Sequence, residues 1–134
     1  MTWLAPDLIW PDDIDAPPGA PIRLLAAACA TCGRSSFPAT RGCTWCGAVT
    51  EPAPLASSGK LVAATAVLHK TPGSAVEVPY PVALLRFEAS GLDVLGTVVG
   101  VANPDEMTPG TPMTVVAASP FPDGRRHYAF RAAP

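Results

Sequence analysis

The four cysteines of this chain stand in two matched pairs, Cys29-Ala30-Thr31-Cys32-Gly33 and Cys43-Thr44-Trp45-Cys46-Gly47, with ten residues between the pairs. That spacing suits a tetrahedral zinc site. A two-residue spacer lets both thiolates of one knuckle face the same ion, and the glycine that follows takes a backbone turn that a Cβ would hinder. The expected ligands are Cys29, Cys32, Cys43 and Cys46. Four thiolates leave no open coordination position, so the implied Zn2+ is structural, which argues against a zinc hydrolase.

Other uses of the cysteines fit less well. Two disulfides would need an oxidising compartment, and the sequence carries no recognisable export signal. A thioredoxin-like redox pair would sit at the start of a helix after a strand, whereas both pairs here are Gly-terminated in a loop-rich stretch. The run Leu24-Leu25-Ala26-Ala27-Ala28-Cys29 resembles a lipoprotein cleavage site only superficially. Before it lie Asp7, Asp12, Asp13 and Asp15, no Lys or Arg until Arg23, and the prolines Pro6, Pro11, Pro17, Pro18 and Pro21. A secretory signal needs a basic start and a longer apolar core, so the expected location is cytoplasmic.

With 134 residues, the chain has room for one modest domain or a small metal-stapled module joined to one. Confinement of the cysteines to positions 29–46 favours the second arrangement. So short a ribbon cannot bury enough apolar surface alone, and the metal is expected to supply much of its folding free energy. Hydrophobic residues at 49% and charged residues at 15% exclude a disordered chain. No apolar run approaches the ~20 residues that span a bilayer. A net charge of −2 argues against a nucleic-acid binder, which usually carries a basic face. Seventeen prolines cut helices short and favour strands and turns.

Residues 1–21 form an extended, acidic, Pro-rich lead bearing Trp3, Leu4, Ile9 and Trp10. It reads either as a segment laid over the domain or as an arm whose tryptophans insert into a partner. Residues 22–50 are the ribbon, with Ile22 to Ala27 as a lead-in strand and Phe37-Pro38 placed to pack beside the metal. Residues 51–58, beginning Glu51-Pro52-Ala53-Pro54, read as a stiff connector. Residues 59–134 read as β, with strands expected at Lys60 to His69, Val82 to Glu88, Leu92 to Val101, Met113 to Ala118 and His127 to Arg131. Turn signals at Thr71-Pro72-Gly73, Gly91, Thr108-Pro109-Gly110 and Pro122-Asp123-Gly124 separate them. Ala83, Leu85 and Phe87 alternate with Leu84, Arg86 and Glu88, placing the first set on the inner face. Five short strands suggest a small barrel, OB-like or SH3-like by strand count alone.

Signatures of catalysis are missing from the sequence. It has no Gly-rich phosphate loop, no Gly-x-Ser-x-Gly elbow and no His-Glu-x-x-His. His69 and His127 flank turns without an obvious acidic or nucleophilic partner. Arg125-Arg126-His127 reads as a solvated turn guarding an edge strand, against the alternative of a seat for phosphate or carboxylate. Pro79-Tyr80-Pro81 sets up an extended start to a strand, with Tyr80 as packing. By themselves the residues point to a binding or structural module. A single-strand nucleic-acid binder is the alternative class, but the basic residues of the barrel region are matched by acidic ones. An enzyme acting by itself on acyl thioesters is the third.

In this order the motifs resemble the OB-fold, zinc-ribbon proteins associated with acyl-CoA enzymes, first catalogued as a domain of unknown function. The matching stretches are the two knuckles with Phe37-Pro38 between them, Gly59-Lys60-Leu61-Val62, Thr65 through His69, and Pro79-Tyr80-Pro81-Val82-Ala83-Leu84. Gly96-Thr97-Val98-Val99-Gly100, Gly110-Thr111-Pro112-Met113 and Tyr128-Ala129-Phe130-Arg131 complete them, so the resemblance covers about residues 22–134. The second knuckle departs from the family's common Cys-Pro start, having Cys43-Thr44, and the N-terminal segment, often helical in relatives, is short and broken by prolines.

The resemblance implies a mostly β chain, a rubredoxin-like zinc ribbon followed by a five-stranded OB-fold barrel. It also implies a non-catalytic accessory subunit of a thiolase or acyl-CoA lyase-type complex. The partner would be a thiolase-like, or MaoC-like hydratase, catalytic subunit in a hetero-oligomer, with a CoA thioester held together with that partner. Lys60, Lys70 and Arg86 are cations that such a ligand's phosphates could meet, though nothing in the sequence singles them out.

Overall fold

The computed structural model describes residues 2–70, 72, 78–101, 103–119 and 124–133. Two antiparallel sheets organise the chain. The first holds β1 (Leu25–Ala28), β2 (Ser35–Ser36) and β3 (Glu51–Pro54) in the order β2-β1-β3. Glu51–Pro54, which the sequence presents as a stiff connector, is therefore a correction: it pairs residue by residue with β1, from Leu25 opposite Pro54 to Ala28 opposite Glu51. Two prolines are tolerated because β3 is an edge strand, with their absent N–H groups on its open side. The alternation continues at Leu55, whose N–H donates to the Leu24 carbonyl at 2.9 Å.

The second sheet has five strands: β4 (Ser58–Val67), β5 (Tyr80–Phe87), β6 (Leu92–Thr97), β7 (Pro112–Ala118) and β8 (His127–Ala132), in the order β6-β5-β4-β7-β8. β4 serves both halves. Its start, Ser58–Lys60, pairs with β7, while Lys60–Val67 pairs with β5. Between Leu61 and Ala63 the register slips, so Val62 is an extra residue, and such a bulge lets a strand bend around a barrel. The ends meet where Val98 bridges Phe130 in parallel and the Val99 N–H donates to the Phe130 carbonyl at 2.9 Å. This strand order, closed between the third and fifth strands, is the OB-fold and settles the choice that strand counting left open. The expected alternation holds: Ala83, Leu85 and Phe87 are buried and Arg86 and Glu88 exposed. The turns expected around Thr71-Pro72-Gly73 and Pro122-Asp123-Gly124 fall largely outside the described residues.

One apolar core joins ribbon, barrel and lead. Ile9, Ile22, Leu24, Ala26 and Leu55 lie in the same buried cluster as Leu85, Met113, Val115 and Phe130. Residues 19–22 run beside β7: the Ile22 N–H donates to Val115 O at 2.9 Å, and Gly19 N–H to Ala117 O at 2.7 Å. The lead is thus laid over the domain. Trp3 gives its indole N–H to Ile14 O at 2.7 Å and carries the Arg126 guanidinium 5.6 Å from its ring centre. Arg23 grips Asp13 with two side-chain contacts, at 2.9 and 3.1 Å, and this hydrogen bonding holds the Asp13 carboxyl below the usual carboxylate range. Phe37 meets the Tyr128 ring edge-on at 6.3 Å and ties the ribbon to the barrel. Among the described residues no helix is long and apolar enough to cross a membrane.

Two consequences are measurable. A Cβ added to Gly96 would lie 2.8 Å from both the Tyr128 and Phe130 rings. Gly96→Ala is expected to destabilise the barrel by about 1–3 kcal/mol, read as a lower urea midpoint, and an unchanged midpoint would refute the close approach. His127 packs against Tyr128 with ring centres 4.5 Å apart, and burial lowers its pKa from the ordinary 6.5. The native state therefore binds this proton less readily than the unfolded chain. The resulting stability is present above the unfolded value and is lost as pH falls through it toward the lower folded value. Unfolding midpoints should drop below about pH 6.5, and this fall should flatten in His127→Gln; the same slope in both proteins would exclude the residue.

Candidate metal centre

The cysteine knuckles are built alike. In the first, Cys29 N–H donates to Arg34 O at 2.9 Å and Gly33 N–H to Cys29 O at 2.8 Å. In the second, Cys43 N–H donates to Ala48 O at 2.7 Å and Gly47 N–H to Cys43 O at 2.9 Å. Gly33 and Gly47 close the turns at φ of 76° and 79°, a left-handed conformation that side chains resist. β1 delivers Cys29 directly at its end, and the Gly42–Val49 bridge closes the base of the second knuckle.

These turns bring all four sulfurs within 4.8 Å of one another. Cys29 Sγ and Cys46 Sγ are 3.5 Å apart, as are Cys32 Sγ and Cys43 Sγ. A zinc–sulfur bond of about 2.3 Å gives a tetrahedral edge of about 3.8 Å, so the spacing suits a four-coordinate ion. All four thiols are free; Cys29 and Cys43 are buried and Cys32 and Cys46 exposed. The N–H groups of Cys46 and Trp45 hold the Cys43 thiol down at about 6, and the Cys32 N–H lowers Cys29. The Ala48 N–H acts on Cys46 in the same lowering sense, yet the adjacent Cys29 sulfur and burial push it up to about 11. Four thiolates this close repel one another unless a cation sits among them. The cluster could therefore hold one metal ion, and the chemistry of its donors matches a soft or borderline one.

Other residues singled out in the sequence are dispersed. His69 is exposed, and His127 lies at the start of β8. Arg126 serves the lead: its N–H donates to Thr2 O at 2.8 Å, and its carbonyl accepts from Leu4 N–H at 2.8 Å. Tyr80 opens β5, half-buried. Lys60 and Arg86 are brought together by the β4–β5 register, and both are paired, Lys60 with Glu88 at 3.2 Å and Arg86 with Asp93 at 2.9 Å. They rim a cleft of about 460 Å3 between ribbon and barrel, whose lining includes Ser35, Pro54, Ser58 and Ser90. Sequence reasoning missed this cleft because its walls come from segments far apart in the chain.

Residues 53–118 match the family model described as ChsH2, C-terminal OB-fold domain. Among solved structures, one described as an Ltp2-ChsH2(DUF35) aldolase is similar at 27% sequence identity and a TM-score of 0.67. The match covers 84% of this chain and 86% of that one, and so extends beyond the barrel. A comparison with curated proteins found no match. With the barrel topology and the cysteine cluster beside them, these likenesses support the OB-fold, DUF35 family of acyl-CoA-associated proteins as this chain's relatives.

Proposed function

We propose that this chain is a non-catalytic accessory subunit of a thiolase-type or acyl-CoA lyase-type complex. In this reading it stabilises a thiolase-like catalytic partner and helps position an acyl-CoA substrate. The observation that carries the reading is the extent of the likeness to the Ltp2-ChsH2(DUF35) aldolase, which spans most of both chains. What the chain's own residues do is consistent with it. Tyr128 gives its hydroxyl to Leu95 O at 2.6 Å, and the prominent cations Arg23, Lys60 and Arg86 are engaged with carboxylates. The cleft between ribbon and barrel is where the chain would meet part of a CoA thioester, with Lys60 and Arg86 at its rim.

Cys29, Cys32, Cys43 and Cys46 are assigned as ligands of one structural Zn2+. Bound there, the ion would neutralise four crowded sulfurs and lock the two knuckles together, supplying rigidity and no reaction chemistry. Four free thiols suit a reducing compartment, and the cytoplasm is the location assigned.

Metal analysis of the purified chain should find about one zinc per chain. Cys29→Ser and Cys46→Ser should each lose it, together with the ordered knuckles and partner binding; native zinc content in either variant would overturn the ligand assignment. Affinity capture of the tagged full chain from its native cells should recover a thiolase-like subunit in near-equal amount. Capture of nucleic acid, or of no catalytic subunit, would overturn the accessory role.

A further inference from the structure

The cluster holds every thiol of the chain, and its burial is uneven. Cys29 and Cys43 are buried, whereas Cys32 and Cys46, one from each knuckle, are exposed. The 3.5 Å contacts cross between the knuckles, Cys29 Sγ to Cys46 Sγ and Cys32 Sγ to Cys43 Sγ. Each contact therefore sets an accessible sulfur beside a sheltered one on the opposite knuckle. An accessible thiolate with a second thiol next to it is the arrangement that peroxide converts to a disulfide before further oxidation can occur. Closing each S–S bond here takes an approach of about 1.5 Å.

The surroundings are built to outlast a change at the sulfurs. At the root, Leu24 and Ala26 share one buried core with Phe130, and Ala27 and Ala28 pair with both β2 and β3. The knuckle turns are held by their own backbone bonds. What would change is charge. Four thiolates around one divalent ion carry a net double negative charge, in a stretch where Arg34 and Arg41 are exposed and no Asp or Glu lies between Asp15 and Glu51. Two disulfides are neutral and would leave those arginines without that counter-charge.

We propose that the four-sulfur cluster is a redox switch as well as a metal site. In one state the knuckles are joined through the ion, and in the other by the disulfides Cys29–Cys46 and Cys32–Cys43. The assignment rests on the four sulfurs being the ligands of one zinc, as read above. The exposed sulfur of Cys32 or Cys46 attacks the O–O bond of a peroxide, becoming a sulfenic acid as water leaves. The sheltered thiolate across the 3.5 Å contact then attacks that sulfur, forming the S–S bond and expelling a second water. Each disulfide thus takes up one hydrogen peroxide and two protons and gives two waters; the two sulfurs lose the two electrons that the peroxide gains. With both disulfides closed, no thiolate remains to hold the ion, which departs.

The experiment treats the zinc-loaded full chain with hydrogen peroxide and follows zinc release with a chromogenic chelator. Release should be complete at about two peroxides per zinc, with the strand circular dichroism retained and earlier elution from an anion exchanger. Tryptic cleavage after Arg23, Arg34, Arg41 and Lys60 places Cys29 and Cys32 on peptide 24–34, and Cys43 and Cys46 on peptide 42–60. Without reductant these two peptides should be recovered as one linked species, with fragmentation placing the bonds at Cys29–Cys46 and Cys32–Cys43. Dithiothreitol and zinc should restore the metal-bound chain. Separate peptides with internal disulfides, any other pairing, sulfinic acids in place of disulfides, or zinc retained at that dose would overturn the switch and leave the ligand assignment standing. A purified, reduced chain that binds no zinc would instead overturn the ligand assignment, and the switch with it.

Discussion

The structure depends on a seam at which a few residues before β1 lie along β7. Ile22 bonds through its N–H to Val115, and Ile22, Leu24 and Val115 are all but inaccessible. A three-stranded sheet whose second strand is two residues long has no interior of its own. By joining the barrel's core at its root, the ribbon gains apolar burial that its composition could not supply. Each large aliphatic side chain fully buried there contributes about 1.5–3 kcal/mol. The share of a bound metal would then be confined to the knuckles, where the sulfurs and the glycine turns are found. The ribbon thus has two regions held by different physics: a root fixed by hydrophobic packing and a tip fixed by hydrogen-bonded glycine turns, which coordination would reinforce.

That division explains which parts of the fold were legible from sequence. The knuckles were, because their geometry is local: two Cys-x-x-Cys-Gly units specify their own turns. So was the inner face of β5, since alternation of Ala83, Leu85 and Phe87 with Leu84, Arg86 and Glu88 depends only on strand period. Three features were not, and each depends on a partner distant in the chain. Pro52 and Pro54 look incompatible with a strand until β1 is seen to occupy one side of β3 only. Phe37 sits next to the knuckles in sequence, yet it packs against the shared core and meets edge-on the ring of Tyr128, ninety-one residues on. Ile9 belongs to a lead that reads as acidic and Pro-rich, too short for a core of its own, and it is buried where Arg23 and Leu24 hold that lead down.

Electrostatics followed the same rule. Composition showed near balance, which is why neither Lys60 nor Arg86 could be singled out. The register places Lys60 opposite Arg86, and Arg86 in turn opposite Asp93. Like charges side by side on neighbouring strands are destabilising unless each has a counter-ion, and Glu88 and Asp93 supply those counter-ions. The rim of the cleft is consequently neutral as well as charged. A phosphate arriving there would have to compete with the carboxylates of Glu88 and Asp93, so charge alone would not draw it to the cleft.

A metal held by the four-sulfur cluster would have a physical consequence for the residues between its ligands. An aromatic side chain on a flexible loop loses side-chain and backbone freedom when it binds, and that loss subtracts directly from affinity. Here the loop is short, its backbone N–H groups are already spent on carbonyls and sulfur, and its two halves converge on a single cluster of four sulfurs. The indole is presented from a frame with little left to order, and Arg34 limits the ring's remaining rotation. Trp45 lies between two cysteines of the cluster, where the turns of the knuckle hold its backbone. Held on the knuckle, it can remain both rigid and exposed, a combination that hydrophobic packing alone does not readily provide.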